Sequence, residues 1–399
     1  MILFDIFRFG HGIFFVSLQT ALMFGFFMEW IRDRKAAIPE ADFYIQQESK
    51  EKVSVIIPIH NESARMEGLL RTLLVQSYNA QIIFVDDRST DESPQMLAQF
   101  VLDAKARGID CCIITLKENP GPNRKQFALS RGITEANGDF LLFTDGDCEV
   151  PPDWIRAMVN RIAEHEAMFP SNKKTGAVIG PVFKKKQGKG FFFLYQCYDH
   201  VIRYNYLAGA IGLGAAGGGF GNNLIISRKA LDSIGGYDAI PPSPTEDAAL
   251  VSQLRSIGGT RIRAIAHPDA AVETEAEKTW RSFMNQTLRW NNGGLFSPEP
   301  LTRFNYNLLM LVISAGILAI PLLPFFPELW PMPLGVFIVM IENTIAAFAL
   351  FRKKLPQGGI LIKSGYFLTL LFTPVYFTLM TLMGYAGIKT TWKNKEIKN

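Results

Sequence analysis

Cysteine is scarce and unpatterned in this chain. Only four of 399 residues are cysteine (Cys111, Cys112, Cys148 and Cys197), and no CxxC pair occurs. That count forces no disulfide and fits a reducing compartment, and the spacing offers no zinc site. The five histidines (His11, His60, His165, His200 and His267) do not cluster. A strong charge of one sign is also missing. The 41 basic and 37 acidic residues leave a net +4, too mild to argue for a nucleic-acid partner. Charged residues make up 20% and hydrophobic residues 48%, which excludes intrinsic disorder. The length suggests two or three domains.

Charge is absent above all near the two ends. Gly10 to Met28 carries no Asp, Glu, Lys or Arg, about the length that spans a bilayer as a helix. Trp30 lies just beyond, after Glu29, followed by Arg32, Arg34 and Lys35. A signal peptide would have a shorter apolar core and a small-residue cleavage site. Residues 1–35 therefore read as an uncleaved anchor, and the basic residues place the adjoining domain in the cytoplasm. Phe304 to Pro327 and Ser364 to Ile388 carry no charge, and Leu334 to Phe351 carries only Glu342. These read as three more membrane segments, a C-terminal membrane region over 304–388 before a basic tail over 389–399. The charges conflict with four full spans. Arg352, Lys353 and Lys354 would lie on one side, and Lys389, Lys393, Lys395 and Lys398 on the other. One segment should then be interfacial or a hairpin.

Residues 51–270 read as a soluble domain. Short apolar runs at 53–58, 81–85, 111–116 and 140–144 read as buried strands. Helical patterns fall between them at 61–76, 92–106 and 125–136. Strands alternating with helices imply an α/β domain with a parallel-rich sheet covered on both faces. In such sheets a ligand sits beyond the carboxyl ends of the strands.

Acidic residues follow the strands. Asp86, Asp87 and Asp91 follow Val85, and Asp145-Gly146-Asp147 follows Thr144. Two carboxylate clusters at neighbouring strand ends repel one another. They make sense if they share a cation or hydrogen-bond a ribose and base. Two Asp flanking a Gly can present oxygens to Mg²⁺ or Mn²⁺. Helix capping is the plainer alternative, since Asp and Ser are good N-caps. Further on, Thr245-Glu246-Asp247 opens a helical stretch, where a carboxylate is either a cap or a general base. The helix predicted over 277–291 carries Gln286, Arg289 and Trp290, three and four residues apart and so on one face. Arg can clamp a diphosphate and Trp can stack on a sugar. The alternative is an amphipathic helix over 271–300 lying on the membrane.

Taken in order, Asp86-Asp87, Asp145-Gly-Asp147, Thr245-Glu-Asp247 and Gln286-x-x-Arg289-Trp290 resemble the D, DxD, TED and QxxRW motifs of membrane-bound family-2 glycosyltransferases. Cellulose, chitin and hyaluronan synthases and ceramide glucosyltransferases belong to that family. The resemblance covers about Lys52 to Gly294. It implies a GT-A fold flanked by transmembrane helices, a nucleotide-sugar donor (usually a UDP-sugar), Mg²⁺ or Mn²⁺, and inverting transfer. By that match Pro58, Asp86 and Asp87 line the nucleotide pocket and Lys125 helps hold the donor. Asp145 and Asp147 match the metal-binding pair, Asp247 the catalytic base and Glu246 its neighbour. Gln286, Arg289 and Trp290 match the diphosphate and acceptor end.

Two further runs stand outside these motifs. Gly212-Leu-Gly214-Ala-Ala-Gly217 spells GxGxxG but lies outside a βαβ unit, so the run Gly209 to Gly221 is expected to be a loop open to acceptor or lipid. Lys184, Lys185, Lys186 and Lys189 beside Phe191, Phe192 and Phe193 suggest a headgroup contact or a solvated loop. Three functions fit. The first is transfer of one or a few sugars to a lipid or lipid-linked acceptor, in a bacterial inner membrane with the catalytic domain cytoplasmic. The second is a processive polysaccharide synthase that exports its glycan, to which an oligomer or accessory subunit would add polar lining. The third is a non-catalytic scaffold or transporter. One intramembrane charge, Glu342, is little for a glycan channel, which favours the lipid acceptor.

Overall fold

The runs of Val, Ile, Leu and Phe at 53–59 and 81–86 suit strands covered on both faces, and both are almost wholly buried. They sit in a computed structural model that describes residues 2–36, 51–118, 123–168, 175–186, 188–215, 218–243, 245–257, 259–265, 270–351, 355–357, 360–392 and 395–397. The strands are β1 (Val53–Ile59), β2 (Gln81–Asp86), β3 (Cys111–Thr115), β4 (Phe140–Phe143), β5 (Cys148–Glu149), β6 (Thr175–Ile179), β7 (Val182–Lys184), β8 (Leu224–Ser227), β9 (Arg261–Ala264), β10 (Val272–Thr274), β11 (Thr390–Trp392) and β12 (Lys395–Ile397). The helices are α1 (Ile2–Ala36), α2 (Glu67–Leu73), α3 (Ser93–Ala106), α4 (Arg124–Glu135), α5 (Trp154–Met168), α6 (Gly190–Gly212), α7 (Arg228–Ser233), α8 (Glu246–Ile257), α9 (Trp280–Leu295), α10 (Pro300–Ala319), α11 (Pro331–Phe351) and α12 (Ile360–Tyr385).

The chain divides into two units, one of residues 28–183 and 218–275, the other of 1–27, 184–217 and 276–399. In the first, a seven-stranded sheet runs β3-β2-β1-β4-β8-β6-β9. Strand β1 is parallel to both β2 and β4. Strand β8 departs from the parallel expectation, being antiparallel to β4 and β6. Chain order reverses at β1, so the crevice beyond β1 and β4 is the switch point where α/β sheets bind ligands. Asn223, just before β8, accepts from the Trp154 indole at 2.9 Å and donates to Pro181 and Ala270 carbonyls, each at 2.9 Å.

The helix expected over 61–76 is shorter, Glu67–Leu73. Side chains of the β2 loop hold residues 61–63 instead. Ser89 Oγ accepts from Asn61 N–H, Ser93 Oγ from Glu62 N–H, and Asp91 Oδ2 from Ser63 N–H, at 2.9–3.0 Å. Such local bonds compete with helix formation. Asn61 accordingly adopts φ +54°.

The last turns of α1 belong to this unit. Glu29 pairs with Arg263 on edge strand β9 at 2.9 Å and accepts from Ala264 N–H at 3.3 Å, with both side chains buried. Removing one partner of a buried pair leaves the other uncompensated. Glu29→Ala should therefore lower stability by about 3–5 kcal/mol, read as a fall in unfolding midpoint in detergent. An unchanged midpoint would mean that the pair contributes nothing.

The second unit is helical apart from the β11–β12 pair. Among the described residues four helices are long and apolar enough to cross a membrane: Arg8–Ile31, Pro300–Leu322, Pro327–Ala349 and Ser364–Tyr385. The glycine run starts inside α6 and is not all loop. Gly209 and Gly212 face the α1 backbone at Leu22 and Gly25 so closely that neither leaves room for a Cβ. Small residues let helices approach in this way. Residues 216 and 217 lie outside the described residues. The basic run is solvated only in part, because Lys184 and Lys185 are buried while Lys186 and Lys189 are exposed. Phe191 and Phe192 join Tyr195, Trp280, Phe283, Phe372 and Tyr376 in one aromatic cluster. Strand β10 occupies 272–274, so the helix expected within 271–300 begins at Trp280, behind a Thr279/Ser282 capping box.

Candidate active site

In the first unit, β1, β2 and β4 end side by side. Register pairs Pro58 with Val85 and Ile59 with Asp86, so the β1 and β2 loops emerge together. Asp86 Oδ1 accepts from Ser89 N–H at 3.1 Å. Both Asp87 oxygens are held by arginines. Arg88 donates Nε and an NH₂ group to Oδ1 at 2.9 and 2.7 Å, and Arg124 Nε donates to Oδ2 at 2.8 Å. Arg88 does this from φ +56°, an uncommon backbone state for a residue other than glycine. His60 Nδ1 lies 2.7 Å from the Asp87 carbonyl, tying the two loops. Asp91 Oδ1 accepts from Ser93 N–H at 3.0 Å at the start of α3. Burial raises its pKa, but hydrogen bonds from Ser63 and Ser93 outweigh this and hold the carboxyl below the usual range.

Helix α4 carries the central cation. Asn123 caps it by accepting from Gln126 N–H at 3.1 Å, and its amide donates to the Ser243 carbonyl. Gln126 donates to the Ile240 carbonyl at 2.9 Å. The start of α4 is thereby tied to the segment leading into Thr245-Glu246-Asp247. Lys125 Nζ bridges two motifs, at 2.8 Å from Asp145 Oδ1 and 3.1 Å from Glu246 Oε1. Burial opposes its charge, but Asp145, Glu246 and Asp247 more than offset this and raise its pKa well above the ordinary lysine value.

Asp147, one residue past Gly146, has Oδ2 3.5 Å from Arg65, which also pairs with Glu62 at 2.6 Å. The side chains of Asp145 and Asp147 are 32% and 21% exposed. Among the described residues no group of three or more His, Cys, Asp or Glu side chains is arranged to hold a metal ion by itself. Two partly exposed carboxylates suit Mg²⁺ or Mn²⁺, which take their other ligands from water and phosphate. Asp247 lies in the first turn of α8, where the helix dipole favours a carboxylate. Its Oδ2 accepts from Gly221 N–H at 2.7 Å and its Oδ1 from Ala248 N–H at 2.8 Å. A Cβ on Gly221 would stand 3.1 Å from that Oδ2.

The structure thus brings Asp145, Glu246 and Lys125 together, with Asp247 adjoining Glu246 and Asp147 following Asp145. Sequence reasoning missed Arg65, Arg88 and Arg124, and the bond from Gly221 to Asp247. Arg88 and Arg124 each had a signal, as neighbours of Asp87 and Lys125.

Gln286, Arg289 and Trp290 lie in the other unit, half-buried on α9. The Trp290 ring meets His200 at 5.5 Å and the Arg203 guanidinium at 5.5 Å. Arg203 pairs with the buried Asp199 at 2.8 Å. Burial, then Lys184 and Arg203, push the His200 pKa well below its ordinary value. None of these α6 residues stood out in the sequence.

Residues 54–235 match the profile of the family described as Glycosyl transferase family 2. The probable glycosyltransferase YdaM of Bacillus subtilis (strain 168) is 25% identical over 257 residues, 61% of this chain and 56% of that protein. The beta-monoglucosyldiacylglycerol synthase of Nostoc sp. (strain PCC 7120 / SAG 25.82 / UTEX 2576) is 24% identical over 285 residues, 68% of this chain and 57% of that protein. The chain therefore spans little more than half the length of these relatives. Among solved structures, the mannosyltransferase PcManGT from Pyrobaculum calidifontis, in complex with GDP-Man and Mn²⁺, aligns with a TM-score of 0.52. The alignment covers 97% of this chain and 100% of that one at 18% identity. That likeness is one of fold, and the fold is GT-A-like.

Proposed function

Since the chain carries a family-2 glycosyltransferase domain, we propose that it moves a sugar from a nucleotide-sugar, a UDP-sugar by preference, to a membrane lipid or lipid-linked acceptor. The observation that carries this is the Lys125 bridge between Asp145 and Glu246, beside Asp247. It gathers a candidate cation site, a fixed positive charge and a candidate base beyond the strand ends. A stability role alone would not require three carboxylates around one lysine.

In this reading the acceptor hydroxyl attacks the anomeric carbon and a carbon–oxygen bond forms. The bond to the diphosphate breaks and the nucleoside diphosphate leaves. Asp247 takes the hydroxyl proton. The Gly221 and Ala248 amides hold its carboxylate in place. A single displacement inverts the anomeric centre. Asp145 and Asp147 would hold the divalent cation, whose chemistry is to neutralise charge developing on the diphosphate. Lys125 adds a second, permanent cation near it. Pro58, Asp86 and Asp87 line the nucleotide end, with Asp87 held in place by Arg88 and Arg124. Gln286, Arg289 and Trp290 serve the diphosphate and acceptor end. Four long apolar helices among the described residues support a membrane acceptor, and in this reading the basic residues after the first of them put the catalytic domain on the cytoplasmic side of a bacterial inner membrane.

Chelation tests the cation. EDTA should stop nucleotide diphosphate release, and Mn²⁺ or Mg²⁺ should restore it. Turnover that persists in EDTA would remove the cation role of Asp145 and Asp147.

A further inference from the structure

The charge conflict in the sequence has a structural answer in α12. Helices α10 and α11 form an antiparallel hairpin joined by short turns over 320–329, and Gly316 packs against Met332 and Val336. Pro300 and Phe351 therefore lie at one end of the hairpin, here the near end, with Phe325 at the far turn. Helix α1 runs parallel to α11. Gly12 meets Pro331, Thr20 donates to Glu342 at 3.4 Å, and the Phe26 and Phe351 rings lie 6.2 Å apart. The Phe26 end of α1 is thus also near, and Arg32, Arg34 and Lys35 come directly after it.

Both ends of α12 meet the near end. The Tyr366 ring lies 4.7 Å from that of Phe348, and its hydroxyl donates to the Pro356 carbonyl at 3.0 Å. Tyr385 bonds to Asn307, and its ring lies 6.3 Å from that of Phe296. From Tyr366 to Tyr385 a helix advances about 28 Å, close to the thickness of a bilayer core. A spanning helix would carry Tyr385 to the far turn. Instead α12 runs alongside α9, with Tyr376 bonded to Thr287, Met380 to Asn291, and Gly384 packed on Asn292 and Leu295. Its threonines Thr369, Thr373, Thr378 and Thr381 are buried. Leu368, Leu371, Val375, Leu379 and Leu382 form an exposed stripe at helical spacing.

We propose that α12 lies in the plane of the membrane beside α9, its leucine stripe resting on the acyl chains of the near leaflet, and that the chain crosses the bilayer three times. The occupant of the stripe is lipid. Charge complementarity supports this, because Arg352, Lys353, Lys354, Lys389, Lys393, Lys395 and Lys398 then all fall on the side of Arg32, Arg34 and Lys35. Several of these basic residues lie outside the described residues and enter by sequence position alone. The helix bearing Gln286-x-x-Arg289-Trp290 thereby gains a neighbour in the leaflet from which a lipid acceptor would come. The placement of α12 does not depend on the activity proposed above.

Two measurements on the full chain test it. Phe325→Cys, Arg34→Cys and Asn399→Cys are exposed to a membrane-impermeant maleimide in intact and in permeabilised cells. Phe325→Cys should label in intact cells, and the other two only after permeabilisation. Labelling of Asn399→Cys in intact cells would overturn the proposal. Nitroxides at Leu368, Leu371, Val375, Leu379 and Leu382, in vesicles of phosphatidylethanolamine and phosphatidylglycerol, should report one common shallow depth. A depth that peaks at the bilayer centre near Val375 and falls on both sides would equally overturn it.

Discussion

Asp247→Asn should lower kcat by about 10²–10⁴-fold, the usual contribution of a positioned general base, while the donor still binds with wild-type affinity. The substitution keeps the side chain's shape and removes its ability to take a proton. Both Asp247 oxygens accept backbone N–H groups. Asparagine must turn its NH₂ toward one of them, which adds a structural cost of about 1–3 kcal/mol. Donor binding and unfolding midpoint separate the two effects. Lost turnover with intact binding assigns the proton transfer to Asp247. Full activity in the variant would remove the base assignment.

Lys125→Met should weaken donor binding and stability together. The variant leaves the carboxylates of Asp145 and Glu246 without their shared cation. A hydrogen bond to a charged group contributes about 1.5–3 kcal/mol, so KM for the donor should rise about ten- to a hundredfold. Breaking a buried pair costs about 3–5 kcal/mol, and the partial exposure of Asp145 argues for the lower end. The pH dependence stems from the raised lysine pKa. A raised lysine contributes stability that is fully present below its unfolded value of about 10.4 and is lost only as pH rises through the folded value. The stability gap between wild type and Lys125→Met should therefore stay constant from about pH 6 to 9. Lys125→Arg keeps the charge and should recover most stability. A gap that closes within that window would contradict the bridge.

The sheet and its acidic strand ends were legible in the sequence because buried strands are short apolar runs and the carboxylates come directly after them. The β1 loop was not, since 61–63 are held by Ser89, Ser93 and Asp91 from another loop. No helical periodicity carries that information. Gly209 and Gly212 looked like loop residues because composition does not distinguish a flexible glycine from one that admits a neighbouring helix. Arg65 and Gly221 are far in sequence from the carboxylates they meet. Helix α12 is the sharpest case. Its length and apolar content suit a spanning helix, and its contacts with Phe348 and Asn307 distinguish the in-plane arrangement. The charge conflict was the signal that one segment differed, but charge alone offers no means of choosing it.

The proposed activity is tested most directly by turnover. The purified protein, in native-like lipid with Mn²⁺, would be given a panel of nucleotide sugars. Nucleotide diphosphate release would be followed, with mass spectrometry of the lipid and aqueous fractions. Release with a defined donor and a lipid heavier by one or two sugars is the predicted result. A ladder of long glycan would contradict the lipid acceptor and point to processive synthesis. No release from any donor would contradict the transfer itself.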